Sequence, residues 1–282
     1  MKVKIISLLL IAGIISFPIT ACNFVDDLVQ DSPLKRTMEL LPDDISMFTY
    51  FNIETFRTDP DLKDYYDIMF GDDFWDYTEE EMGIYGYEIN TISMATNGIF
   101  DSWVILEGDF NLDDFRYAME DNGFDEDEYH DVETWSDDYE HYAVLGNMII
   151  RVAEEDNIRS TIRLSKGSGA SMYDNEDISD VAKRLPDGIM VTLIQNEAED
   201  FLVVGTSFSK VSSDILEAKI CFKYGSERRA ESNLQAIEED LEFAFSSNEY
   251  SIYDVRQDGE FIEVTGEIDF ADFFSPETVY TE

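Results

Sequence analysis

The 282-residue chain carries 63 acidic side chains against 19 basic ones, a formal charge of −44, with 44% hydrophobic and 13% aromatic residues. The apolar share supports a folded core and excludes a wholly disordered chain. The charge excludes nucleic acid and anionic lipid as electrostatic partners and favours cations and solubility.

Lys2 and Lys4 open the chain, Ile5 to Ile15 is a mostly apolar uncharged run, and Ser16 to Ala21 leads to Cys22. A positive start, a short apolar run and a small residue before the cut make an export signal. A membrane-spanning helix needs about 20 apolar residues; this run is shorter, and Pro18 would break its last turn. Ordinary cleavage after Ala21 wants a small residue where Ile19 stands. Ile19-Thr20-Ala21-Cys22 instead resembles the lipobox of bacterial lipoproteins, whose cysteine thiol receives a diacylglycerol and becomes residue one of the mature chain. The resemblance implies a signal peptide over 1–21, lipidation at Cys22 and a place on the outer face of a bacterial cell membrane; the alternative is plain secretion. Loss of Lys2 and Lys4 takes the charge from −44 to −46. Cys221 is then left as the other cysteine, without an intrachain disulfide.

Residues 22–32 read as a tether. A short helix over Leu34 to Leu40 precedes Leu41-Pro42-Asp43 and a strand over Ile45 to Ile53. Asp59 to Gly86 is an insertion rich in acids and aromatics. Trp103 to Leu106 reads as a strand, Leu112 to Glu120 as an amphipathic helix, and Tyr129 to Trp135, Tyr139 to Leu145 and Met148 to Ala153 as strands. Ile158 to Leu164 and Ile178 to Arg184 look helical, with Ser165 to Ser171 a loop between them. Leu185-Pro186-Asp187 repeats the earlier turn and leads into a strand to Ile194. Leu216 to Tyr224 reads as a strand and Glu227 to Phe243 as a helix. A hairpin turns at Gln257-Asp258-Gly259 between strands Tyr250 to Val255 and Glu260 to Asp269. The expected class is α+β, with two related halves of mostly antiparallel sheet and packed helices, over 33–184 and 185–282.

Three blocks, Leu41 to Leu62, Met82 to Gly98 and Gly146 to Ile189, together resemble a family of bacterial extracytoplasmic proteins catalogued only as a domain of unknown function. The resemblance implies an exported domain with duplicated α+β halves. It brings no activity and no site residues.

Residues that can carry chemistry are few. His130 and His141 are the only histidines; a turn at Ser136 to Asp138 would set His141 opposite Glu133 or Thr134, more simply a surface pair than a catalytic base. Gly205 to Ser209 lacks the second glycine of a nucleophile elbow, and zinc and phosphate-loop motifs are absent. Acidic clusters at Asp72 to Asp76, Asp121 to Asp131 and Asp174 to Asp177 raise calcium, with Asp125, Asp127 and Glu128 as candidate ligands, although "DNGFDEDEYHD" fails the EF-hand pattern. Phe74, Trp75 and Tyr77 are a candidate aromatic binding surface; the ordinary reading puts Phe74 on a helix face turned to the core. Strand alternation sets Cys221 between Lys219 and Lys223, cations that lower a thiol pKa, or that simply pair with Glu263 or Glu267 on the neighbouring strand. The leading expectation is a lipid-anchored, non-enzymatic binding or envelope-organising module, held at the membrane by its lipid, with an unspecified protein or envelope partner and no cofactor. Calcium binding is the alternative, and an envelope hydrolase using carboxylates is the third reading.

Overall fold

The computed structural model describes residues 32–98, 101–195, 201–244 and 250–273, the side chains of 67–73 and 240–253 excepted. Residues 1–31, with the signal segment and Cys22, lie outside the described residues. The fold is α+β with antiparallel sheet, and divides between Asn175 and Glu176 into two compact units.

In the first unit, α1 (Pro33–Met38) begins where the Ser32 hydroxyl accepts from the Lys35 N–H and Pro33 fills the first helical position. There follow β1 (Met47–Asn52), α2 (Ile53–Thr58), α3 (Tyr66–Glu80), β2 (Ile89–Asn97), β3 (Asp101–Gly108), α4 (Leu112–Asp121), β4 (Asp125–Tyr129), β5 (Val132–Ser136), β6 (His141–Leu145), β7 (Met148–Val152) and α5 (Glu155–Ser165). The strands run in the order β1-β2-β3-β7-β6-β5-β4, each pair antiparallel.

Strand alternation assigns the faces. Phe51, Ile92, Leu106, Ile149 and Val144 stand in one row across β1, β2, β3, β7 and β6, and α3 and α4 cover that face with Phe74, Trp75, Tyr77, Phe115 and Met119. Ile105, Ile150 and Ala143 occupy the opposite face. There α5 packs on β6 and β7 through Ile158 and Ile162, and Arg36 of α1 reaches Glu107 at 2.6 Å.

The second unit comprises α6 (Glu176–Ala182), β8 (Met190–Gln195), β9 (Val203–Lys210), β10 (Ile215–Lys223), α7 (Glu227–Ala244), β11 (Tyr250–Asp258), β12 (Phe261–Asp269) and α8 (Phe270–Phe273). Its antiparallel strands run β8-β9-β10-β12-β11. Helix α6 lies over Gly205, where a Cβ would meet Val181 Cγ1 at 2.6 Å and Leu185 Cδ1 at 2.7 Å, so the glycine lets the helix approach the sheet. Helix α7 packs on β11 and β12.

Three expectations change. The second unit begins at Glu176 rather than Leu185, because α6 belongs to it: Asp177 and Asp180 bind Lys223 of β10. The strand expected over Tyr129 to Trp135 is broken at His130 and Asp131, both with positive φ (53° and 60°), giving a two-residue hairpin between β4 and β5. Val203 to Lys210, to which the sequence assigns no element, is the interior strand β9, paired on both sides by β8 and β10.

Candidate functional site

A connected polar constellation of the first unit involves Tyr77 of α3. Tyr142 of β6 and Arg151 of β7 are cross-strand partners, and Glu140 stands two residues before Tyr142, on the same face. Glu140 Oε2 accepts from the Tyr142 hydroxyl and from the Tyr77 hydroxyl at 3.0 Å, the two hydroxyls are 2.8 Å apart, and Arg151 pairs with Glu140 Oε1. The Arg151 guanidinium also lies over the Tyr77 ring, 5.4 Å from its centroid. Burial works to raise the Glu140 carboxyl, but the hydrogen bond from Arg151, reinforced by the tyrosines, outweighs it and holds the pKa below its ordinary value. Burial pushes Tyr142 and Tyr77 up.

Beside this network is a cavity of about 80 Å³ lined by Phe74, Tyr77, Met82, Leu106, Ile149 and Arg151, among others. Arg151 Nε is buried there without a hydrogen-bond partner among the described residues. The cavity can hold a few apolar atoms beside one N–H donor.

The aromatic candidates are placed as the ordinary reading has it and not as a binding surface. Phe74, Trp75 and Tyr77 pack against the core rather than forming an open platform. Trp75 stacks on Tyr66 with ring centroids 4.8 Å apart and meets Phe74 edge-on at 4.9 Å. Phe74 and Tyr77 line the cavity from above.

The calcium candidates are not brought together. All three lie on edge strand β4, where alternation turns Asp125 and Asp127 to one face and Glu128 to the other. Asp127 Oδ1 accepts from the Glu128 N–H at 2.8 Å. In the other acidic clusters, Asp174 accepts from the Ser171 N–H and hydroxyl and Asp177 pairs with Lys223. Among the described residues no group of three or more His, Cys, Asp and Glu is placed to hold a metal.

His141 stands directly opposite neither Glu133 nor Thr134. Its cross-strand partner is Ser136, and it lines a polar recess of about 50 Å³ with Asp127, Tyr129, Thr134, Glu155 and Arg159. Glu133 instead takes a two-pronged hydrogen bond from Arg116 and another from the Trp135 indole.

In the second unit the thiol is enclosed. Cys221 is fully buried, and its pKa is pushed up to about 12 by burial and by Glu263, against the opposing pull of Lys219, Arg184 and Lys223. Glu263 is gripped by Arg184 at 2.7 Å, Arg256 at 2.8 Å and Lys219 at 3.0 Å. Lys223 pairs with Asp180, Asp177 and Glu260, not with Glu267.

The Glu140 network was not read from the sequence. The signal was present: strands over 139–145 and 148–153 with a turn at Gly146 put Tyr142 opposite Arg151.

Compared by sequence, the chain matches no family model and no curated protein. Compared by structure, it resembles TP0453. Crystal form III of that protein aligns with a TM-score of 0.57 over 86% of this chain and 98% of that one, at 6% identity. Crystal form I gives 0.52 over 86% and 97% at 6% identity, and form IV gives 0.53 over 86% and 96% at 8%. At these identities the likeness is one of fold.

Proposed function

We propose that the chain is a lipid-anchored extracytoplasmic protein, tethered through Cys22 to the outer face of a bacterial membrane, and that it works as a non-enzymatic binding or envelope-organising module. Its kinship with the extracytoplasmic family of unknown function is part of this proposal. The observation that carries the anchor is Ile19-Thr20-Ala21-Cys22, set directly behind a signal-like segment.

The non-enzymatic reading is supported by the direction of the shifts at five buried groups, Asp187 being the one described carboxylate whose pKa ends raised instead, by burial. Glu140 and Glu263 are held down, and Tyr77, Tyr142 and Cys221 are pushed up. Each group is fixed in one protonation state at neutral pH, whereas an acid or base catalyst needs a pKa drawn toward it. These are the shifts of a scaffold that locks its own charges.

Duplication of an α+β half is supported by matched topology. In one unit β1-β2-β3 are followed in the sheet by the hairpin β7-β6; in the other β8-β9-β10 are followed by the hairpin β12-β11. A helix precedes each hairpin in sequence, α4 and α7. The β4–β5 hairpin and α3 are then additions to the first copy, and the two Leu-Pro-Asp turns each lead into the opening strand, β1 or β8.

The anchor is tested by growing cells that express the full chain with an alkyne-bearing fatty acid. Wild type should carry the label and sediment with membranes, and Cys22→Ser should do neither. An unlabelled wild-type chain in the medium defeats the reading.

A further inference from the structure

We propose that the exposed ring of Tyr87, stacked on the half-buried Tyr85 and with Glu79, Glu88 and Asp114 around it, is a docking surface for a lysine- or arginine-bearing segment of a partner protein. The two rings stack, 5.4 Å between centroids and 15° between planes. Tyr87 is 67% exposed, among the most open large side chains described, and Tyr117, one turn along α4 from Asp114, is 69% exposed. A ring face left to water attracts a cation through its quadrupole.

The platform is held rigidly. Gly86 lies between the tyrosines, and its carbonyl accepts from Arg57 Nη1 at 3.1 Å and from the Tyr66 hydroxyl at 3.2 Å. A Cβ at Gly86 would meet the Tyr66 hydroxyl oxygen at 2.8 Å, so the turn is pressed onto the aromatics of α3. Glu88 Oε2 accepts from the Tyr85 N–H and Glu88 Oε1 from the Asn111 N–H, and Asp114 Oδ2 accepts from Asn111 Nδ2. These bonds fix two carboxylates beside the rings before any partner arrives, which reduces the ordering cost of binding.

Charge complementarity selects the occupant. Among the described residues no lysine or arginine pairs with Glu79, Glu88 or Asp114. The Tyr87 phenol is raised first by its surroundings and then by the three carboxylates acting together, while the nearby Arg57 guanidinium is held by the Gly86 and Ile89 carbonyls rather than by any of the three. An ammonium or guanidinium satisfies both the carboxylates and the open ring. A neutral or acidic segment satisfies neither.

The test is fluorescence anisotropy of a dye-labelled tetralysine peptide, acetylated and amidated at its ends, titrated with the full chain in detergent at 150 mM salt. Wild type, Tyr87→Phe and the remote exposed variant Tyr139→Leu should bind alike. Tyr87→Leu, which keeps an apolar side chain but removes the ring, should weaken binding about three- to fivefold, and a peptide with acetylated lysines should not bind. A second measurement, photo-crosslinking from one peptide lysine to the wild-type chain, should attach within residues 79–117. The proposal is overturned if wild type does not bind tetralysine, if Tyr87→Leu binds as wild type or no more weakly than Tyr139→Leu, or if the crosslinks scatter over the acidic surface.

Discussion

Cys221 and Glu263 sit directly opposite each other in the β10–β12 ladder, so the free thiol of the second unit shares its buried face with a carboxylate. The flanking lysines, which alone would activate a thiol, are turned to that carboxylate and to α6. With its pKa pushed up to about 12, the thiol should resist alkylation of the folded protein at pH 7.5 and react fully in denaturant. Thiol labelling followed by mass spectrometry checks this; rapid modification of the native chain at Cys221 would contradict it.

Glu263 should tie stability to acid. Burial raises its carboxyl, but Lys219, Arg256 and Arg184 outweigh burial and pull the pKa down to about 2. Since this lies below the unfolded value of about 4.3, the stabilisation is complete above that value and fades as pH falls toward 2. Glu263→Gln leaves three cations facing one another and should cost about 3 kcal/mol at pH 7. In urea melts, the gap between wild type and variant should narrow from pH 5 to pH 3.

Gly205→Ala should destabilise by about 1–3 kcal/mol through overpacking. The added methyl meets Val181, Leu185 and Leu193 side chains, all within 2.8 Å. Gly146→Ala is the comparison, since nothing lies within 4 Å of its Cβ although its φ of 66° is strained; its cost should come from backbone conformation alone, about 1 kcal/mol. Denaturant midpoints measure both, and a Gly205→Ala cost below about 1 kcal/mol would place α6 farther from β9 than described.

Millimolar calcium should raise the melting temperature no more than sodium chloride of equal ionic strength. The carboxylates of Asp125 and Asp127 point away from that of Glu128 across β4, whereas a calcium site needs six to eight oxygens converging on one point. A shift in excess of the salt control would restore the calcium reading.

The elements that the sequence announced are those with strong local chemistry. Asp258-Gly259 marks the β11–β12 hairpin, where Gly259 takes φ 62°, and the apolar spacing of α7 marks an 18-residue helix. Strand β4 was hidden because Asp125-Glu126-Asp127-Glu128 has poor strand propensity; only pairing with β5 makes it a strand. The turn at His130-Asp131 was hidden because neither residue is glycine, although aspartate tolerates the left-handed region. At the candidate site, Phe74 and Tyr77 were visible as an aromatic cluster, but Glu140 and Arg151 join them only through strand register and the packing of α3. The docking surface combines side chains from α3, the Gly86 turn and α4, and no local pattern links those three.

The central claim is attachment through Cys22, and the intact mass of the chain purified from membranes tests it most directly. The account predicts a mature chain beginning at Cys22, heavier than its polypeptide by a diacylglyceryl group. A chain that retains residues 1–21, or one that begins at an unmodified Cys22, would contradict it.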